Sequence, residues 1–168
     1  MTNDEAMIRA GFLNTAVNLY FDPGVLDRDV ARLRDAGYHV AEADASGWLF
    51  VADVHRDLSR MFNFPEYYGH NWDAFNDCLG EYGWPAEASG LVMVLTGFDA
   101  FVVRFPDAAH VLLDICALRQ RDALIAGNHL ICLVQSDDPR LTLVPVGATV
   151  PQWNRDEWFD RDRGLRAD

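Results

Sequence analysis

Residues 65–79 read Pro65-Glu66-Tyr67-Tyr68-Gly69-His70-Asn71-Trp72-Asp73-Ala74-Phe75-Asn76-Asp77-Cys78-Leu79. Asn71 is a residue that caps helix N-termini well, because its side-chain oxygen accepts from an otherwise unpaired backbone N–H of the first turn. From Trp72 onward, Phe75, Leu79 and Tyr82 recur at i, i+3, i+7 and i+10, the spacing of an amphipathic helix with one buried face. At about 100° per residue, Asp73, Asp77 and Glu81 fall on a stripe opposite that face, with Asn76 at its flank. The stripe points outward.

The surrounding charge is one-sided. Arg60 and Arg104 are separated by 43 residues that hold no Lys or Arg and six acids: Glu66, Asp73, Asp77, Glu81, Glu87 and Asp99. Asp73 and Asp77, like charges at i, i+4, cost an isolated helix a few tenths of a kcal/mol, partly offset by the N-terminal helix dipole near Asp73. On spacing alone this is a solvated helix face or a surface kept for a cationic partner. A metal site built from His70, Asp73 and Asp77 would need ligands from a second element, and neither H-E-x-x-H nor another His/Asp cluster supplies them. An acid/base pair would need a cleft that splits two carboxyl pKa values, which an exposed stripe does not provide. With no G-x-S-x-G, Walker or Rossmann pattern either, neither a reaction nor a cofactor or metal is expected.

The chain as a whole supports a folded, acidic protein. Its 168 residues suffice for one domain, half of them are apolar, and 14 basic against 26 acidic residues give a net charge of −12. Such a surface repels phosphate backbones and anionic lipid, so a basic protein is a better partner than nucleic acid or membrane. The opening MTNDEAMIRAGF carries acids where a signal peptide needs positive charge, and no apolar run nears the roughly 20 residues that span a bilayer, so a cytoplasmic location is expected. Cys78, Cys116 and Cys132 are odd in number, widely spaced and set in apolar patterns, as reduced core thiols are.

Alternating periodicities suggest α/β layers. VNLYF (17–21) reads as a strand, Asp22-Pro23-Gly24 as a turn, and Leu26, Val30 and Leu33 as the buried face of a helix stopped at Gly37, before a strand at YHVAEA. If these two strands share a sheet, they are parallel. A helix over 51–63 follows, with Val51, Val54, Leu58, Met61 and Phe62 at helical spacing. Continuous apolar runs at 91–95 and 129–135 read as buried strands, separated by a helical stretch from FPDAAH to Gly127. Ser136–Pro139 reads as a turn, LTLVPVG (141–147) as an edge strand, since Pro145 excludes a central place, and 151–168 as a polar tail. The first 14 residues show no periodicity and read as dispensable.

The motif itself resembles the barstar family, intracellular inhibitors of secreted guanyl-type ribonucleases. Pro65, Glu66, Tyr67, Tyr68, Gly69, Asn71, Asp73, Ala74, Asp77, Cys78 and Leu79 repeat the family's motif in order and without a gap. The preceding helix ADVHRDLSRMF, the strand LVMVL with GFDAF, and the strand after Gly127 are similar to family elements too. The resemblance covers about residues 38–135, a barstar-like core within a single domain, leaving a β-α extension (1–37) and a C-terminal edge strand and tail (136–168). It implies a small parallel sheet covered by helices, and a loop and helix that plug the active site of a cognate basic ribonuclease. The chain would then be an immunity-type inhibitor, with a barstar-fold interaction module for another basic partner as the alternative. By the resemblance, Asp77 mimics the phosphate, Asp73 adds a second acidic contact, Tyr67 is an aromatic anchor, Gly69 and Asn71 shape the loop, and Asp122 is a distal acidic contact. Asn76 stands where the family carries Trp, and His70 where it carries an acid.

Overall fold

A computed structural model describes residues 3–81, 84–159 and 162–163. In chain order the elements are α1 (Asn3–Phe12), β1 (Asn18–Tyr20), α2 (Pro23–Asp35), β2 (His39–Asp44), α3 (Val51–Phe62), α4 (Trp72–Glu81), β3 (Leu91–Thr96), α5 (Phe98–Arg104), α6 (Pro106–Ile125), β4 (Leu130–Gln135) and β5 (Gln152–Trp153), with 3-10 turns at Ala45–Gly47 and Arg155–Glu157. The five strands form one parallel sheet in the order β2-β3-β4-β1-β5. The α/β class and the parallel sheet expected from the sequence are what the chain adopts.

The strand alternation decides which helices cover which face. Leu91, Met93 and Leu95 of β3, with Leu130, Cys132 and Val134 of β4, pack into the larger core, together with Val54 and Leu58 of α3, Phe75 and Leu79 of α4, Phe98 and Phe101 of α5 and Leu112 and Leu113 of α6. The intervening Val92, Val94, Ile131 and Leu133 turn to the opposite face, where Ile8 and Phe12 of α1 and Leu26, Val30 and Leu33 of α2 cover them. Because β3 and β4 are covered on both faces, their sequences are unbroken apolar runs rather than alternating ones.

Three sequence expectations are corrected, and one helix is added to them. Residues 1–14 are not featureless: 3–12 are helical, and Ile8 and Phe12, four apart, are buried. Asp22-Pro23-Gly24 is a helix start, not a turn. Asp22 caps α2 by accepting from the Gly24 N–H, and Pro23 takes the first helical position, where its missing N–H costs nothing. The segment 98–104 is a helix of its own, begun at Gly97 in the left-handed region (φ 59°). LTLVPVG forms no strand; a lone antiparallel bridge joins Val146 to Thr149, and the edge strand is instead Gln152–Trp153, inside the segment read as tail, pairing with β1. β1 and β2 are parallel but not neighbours, since β3, β4 and β1 succeed β2 across the sheet. Tyr82, read as the last residue of the α4 core face, lies outside the described residues.

The C-terminal segment is fastened from within. Glu157 is buried, and its Oε1 accepts from the backbone N–H groups of Phe21 and Asp22 at 2.9 Å each, at the end of β1. Asn154 donates to Tyr20 Oη and Asp29 Oδ2 at 3.0 Å, and Tyr20 donates to the same carboxylate at 2.9 Å. Burial and the neighbouring Asp29 charge hold the Tyr20 hydroxyl firmly protonated.

Candidate functional site

The loop between α3 and α4 is held by its own aromatic side chains. α3 ends at Asn63, in the left-handed region at φ 50°, where Asn is tolerated because its short polar side chain can bond locally. Phe64 then turns inward against Phe62, Tyr68 and Phe75, with ring centroids 5.6, 5.0 and 6.2 Å apart. Tyr68 is buried, and its hydroxyl lies 2.6 Å from His55 Nδ1 on α3. The His55 ring is itself capped by Trp72, the first residue of α4, at 4.6 Å. Burial, and the nearby His70, push the His55 imidazole below its ordinary range, so it is neutral and able to accept from Tyr68. Burial likewise raises the Tyr68 hydroxyl.

Beyond Tyr68 the backbone turns sharply into the helix. His70 adopts φ 52° and packs its ring on Tyr68 at 4.9 Å. Asn71 is the cap: its Oδ1 accepts from the Ala74 N–H at 2.8 Å and its Nδ2 donates to the Gly69 carbonyl at 3.2 Å. Gly69 leaves room for that amide, since a Cβ there would stand 2.9 Å from Asn71 Nδ2. Tyr67, 73% exposed, projects from the turn while Tyr68 anchors it.

On α4, Phe75, Cys78 and Leu79 are buried, Trp72 is half-buried, and Asp73, Asp77 and Glu81 are exposed. None of the ion pairs among the described residues involves these three carboxylates. Their charge is felt next door: burial first, then Glu81 and Asp77, raise the Cys78 thiol. The cation missing from the local sequence is supplied from α6 by Arg119, yet it bypasses the stripe. Its Nε donates to Asn76 Oδ1 at 2.9 Å, and its Nη1 donates to Asp122 Oδ2 at 3.2 Å. Asn76 is therefore half-buried and tied to α6, not a free residue at the edge of the stripe. Asp122, 46 positions along the chain, comes to the same side of the molecule through this one guanidinium. A cleft of about 390 Å³ opens beside it, lined by Leu79, Glu81, Trp84, Arg119 and Asp122 among others.

The loop and α4 thus carry Tyr67, Gly69, Asn71, Asp73, Asn76 and Asp77, and Arg119 joins Asp122 of α6 to Asn76. The sequence reading missed the supporting residues His55, Tyr68 and Arg119. Arg119 and Asp122 at i, i+3 signal a pair on one helix, but nothing in the order of residues joins that pair to Asn76. Among the described residues no group of three or more His, Cys, Asp or Glu side chains is placed to hold a metal ion, and no helix is long and apolar enough to cross a membrane. The three cysteines are buried and unbridged.

The site is a capped helix with an exposed acidic face, presented beside a parallel sheet. The sequence model of Barstar (barnase inhibitor) matches residues 38–135, more than half of the chain, and the protein belongs to that family, whose members are inhibitors rather than enzymes. No curated protein matches the chain. Among solved structures, a chain from "Structure of Drosophila ORC bound to AT-rich DNA and Cdc6" is similar at 14% identity and a TM-score of 0.45, covering 79% of this chain and 43% of that one. This chain therefore spans less than half of that protein's length, and a likeness so weak bears on neither fold nor function.

Proposed function

We propose that the protein inhibits a basic, guanyl-type ribonuclease inside the cell that makes it, by seating α4 and the loop before it in the enzyme's active site, and that it catalyses no reaction itself. The observation that carries this reading is the set of three exposed carboxylates on one face of α4, in no ion pair among the described residues and backed by the packed aromatic side chains beneath the loop. An enzyme that cleaves RNA gathers cationic side chains around the scissile phosphate, and a carboxylate can take the place of that phosphate. Asp77 fills this role, Asp73 contributes a second acidic contact, Tyr67 offers an aromatic anchor, and Gly69 and Asn71 shape the loop. Asp122 extends the acidic surface on α6. The capped helix and pinned loop reduce the ordering cost of binding, so more of the interaction energy appears as affinity.

Inhibition of secreted guanyl-specific ribonucleases, barnase included, tests the reading directly. Asp77→Ala is expected to weaken inhibition of the most tightly bound enzyme by about 2–5 kcal/mol, the usual effect of removing one partner of a desolvated charge pair, with an unchanged melting temperature. Tyr67→Ala, Asp73→Ala and Glu81→Ala are expected to have smaller effects. Inhibition of none of these enzymes, or equal and negligible losses in all four variants, would overturn the proposal. Asp77-dependent binding to a basic protein without any effect on RNA cleavage would favour an interaction module instead.

A further inference from the structure

Arg119 stands out as a cation on a face otherwise made of carboxylates. Its side chain is 21% exposed, and it lies across the last turn of α4 at Gly80. A Cβ added at Gly80 would meet Arg119 Nη1 at 3.0 Å and Cζ at 3.3 Å, so the absence of a side chain there gives the guanidinium its bed. From that position it donates to Asn76 Oδ1 at 2.9 Å and to Asp122 Oδ2 at 3.2 Å, tying α4 to α6.

The chemical consequence falls on Asn76. A primary amide offers an oxygen with two lone pairs and an NH₂ group with two donors, and because a guanidinium only donates, it is the oxygen that must face Arg119. With the oxygen engaged by Arg119, the amide cannot flip, and Nδ2 is turned away from the guanidinium. Nδ2 makes no hydrogen bond to another described residue. A fixed donor therefore stands one residue before Asp77, while the neighbouring Asp73, Asp77 and Glu81 carboxylates, when ionised, can only accept.

We propose that the Arg119 clamp holds Asn76 with its two amide donors presented outward, so that the ribonuclease this chain fits sets a hydrogen-bond acceptor beside the cations that receive Asp73 and Asp77. The inference rests on the active-site plug proposed above. It makes Arg119 a positioning residue that acts through Asn76 and makes Asn76 a determinant of which ribonuclease is accepted. An enzyme with a cation at that point would meet two donors and be rejected, because a mismatched, desolvated donor is left unpaired.

Replacing Asn76 by Asp separates this from a purely electrostatic surface. The carboxylate can still take the Arg119 hydrogen bond, now as an ion pair, but it removes the donor and adds a negative charge to the stripe. If the face worked by net charge alone, Asn76→Asp would tighten binding to a basic enzyme. The presented donors require the reverse, about a tenfold weaker inhibition, because an acceptor would then face an acceptor. Arg119→Ala removes a positive charge from an acidic face, yet is expected to weaken inhibition about threefold to tenfold by freeing the Asn76 amide. The measurement is the inhibition constant against the guanyl-specific ribonuclease that the unmodified chain inhibits most tightly, with a thermal melt of each variant. An unchanged melt for Asn76→Asp separates a lost contact from a loosened helix pair. Weakened inhibition by Asp77→Ala together with tightened inhibition by Asn76→Asp would overturn this inference and leave the plug intact. No effect of Asp77→Ala would overturn both.

Discussion

The segment that matches the family model, residues 38–135, and the flanks on either side of it contribute different things to one sheet. The matched segment supplies β2, β3 and β4, all four helices on the larger core, and every residue of the proposed binding surface. The flanks supply β1 and β5, and α1 and α2 over the second core. The matched segment therefore holds the proposed binding surface, while one face of its own strands is covered by residues outside it. Val92, Val94, Ile131 and Leu133 are buried against the N-terminal helices. A family resemblance marks where a function sits, and need not mark where a stable folding unit ends.

Cutting at the boundary tests this most severely. Removing residues 1–36 would expose those four side chains and free the edge of β4 that pairs with β1, leaving an apolar face and an open strand that invite association. The truncated chain is expected to aggregate or to lose cooperative unfolding, as read by size-exclusion chromatography and thermal melting. A monomeric truncation of equal stability would show the matched segment to be autonomous.

A shorter deletion sharpens the same comparison. Residues 1–14 read as dispensable in the sequence, but α1 buries Ile8 and Phe12. At about 1.5–3 kcal/mol for each fully buried large apolar side chain, their loss is expected to destabilise the protein by about 3 kcal/mol or more. Inhibition measured well below the melting temperature is expected to be unchanged, since α1 lies across the sheet from α4. Weakened inhibition at full folding would mean that the two faces are coupled.

The matched segment also contains two buried histidines, each bonded to a tyrosine, one on either side of the sheet. His55 pairs with Tyr68 at 2.6 Å beneath the loop before α4, and His129 pairs with Tyr38 at 2.5 Å on the face that α1 and α2 cover. Burial is the largest cause lowering both imidazoles below the ordinary 6.5. A histidine with a depressed folded pKa binds its proton more readily when unfolded, so its stabilisation is complete above about pH 6.5 and is lost as pH falls below that value. Thermal melts from pH 7.5 to 5.5 are expected to show a steady loss of stability. His55→Gln and His129→Gln should each flatten part of that slope, and His55→Gln alone should weaken inhibition at pH 7.5. A pH-independent melt in the unmodified chain would overturn the reading of both pairs.

The smallest effect concerns approach rather than fit. With a net charge of −12 and three exposed carboxylates on α4, association with a basic enzyme should be steered and should slow as salt screens it, while dissociation changes less. Stopped-flow mixing across ionic strengths measures this, and a salt-independent association rate would mark the stripe as solvated surface.

By itself the sequence determined the elements whose signals are local. The α4 helix was legible because cap, core spacing and acidic stripe lie within a dozen residues, and β3 and β4 were legible because strands buried on both faces need unbroken apolar runs. Leu26, Val30 and Leu33 revealed α2, although its cap, Asp22-Pro23-Gly24, uses the same residue types as a turn. Tertiary structure alone decided what depended on distant partners. Gln152–Trp153 is too short to show any period and is a strand because β1 offers it hydrogen bonds, whereas LTLVPVG has strand composition but extends no further than the bridge from Val146 to Thr149. α1 is defined by the face it covers more than by its own weak pattern. Asn76 became a fixed donor through Arg119, 43 residues away. A hydrogen bond between helices depends on how their backbones pack, which the order of residues along either helix does not encode.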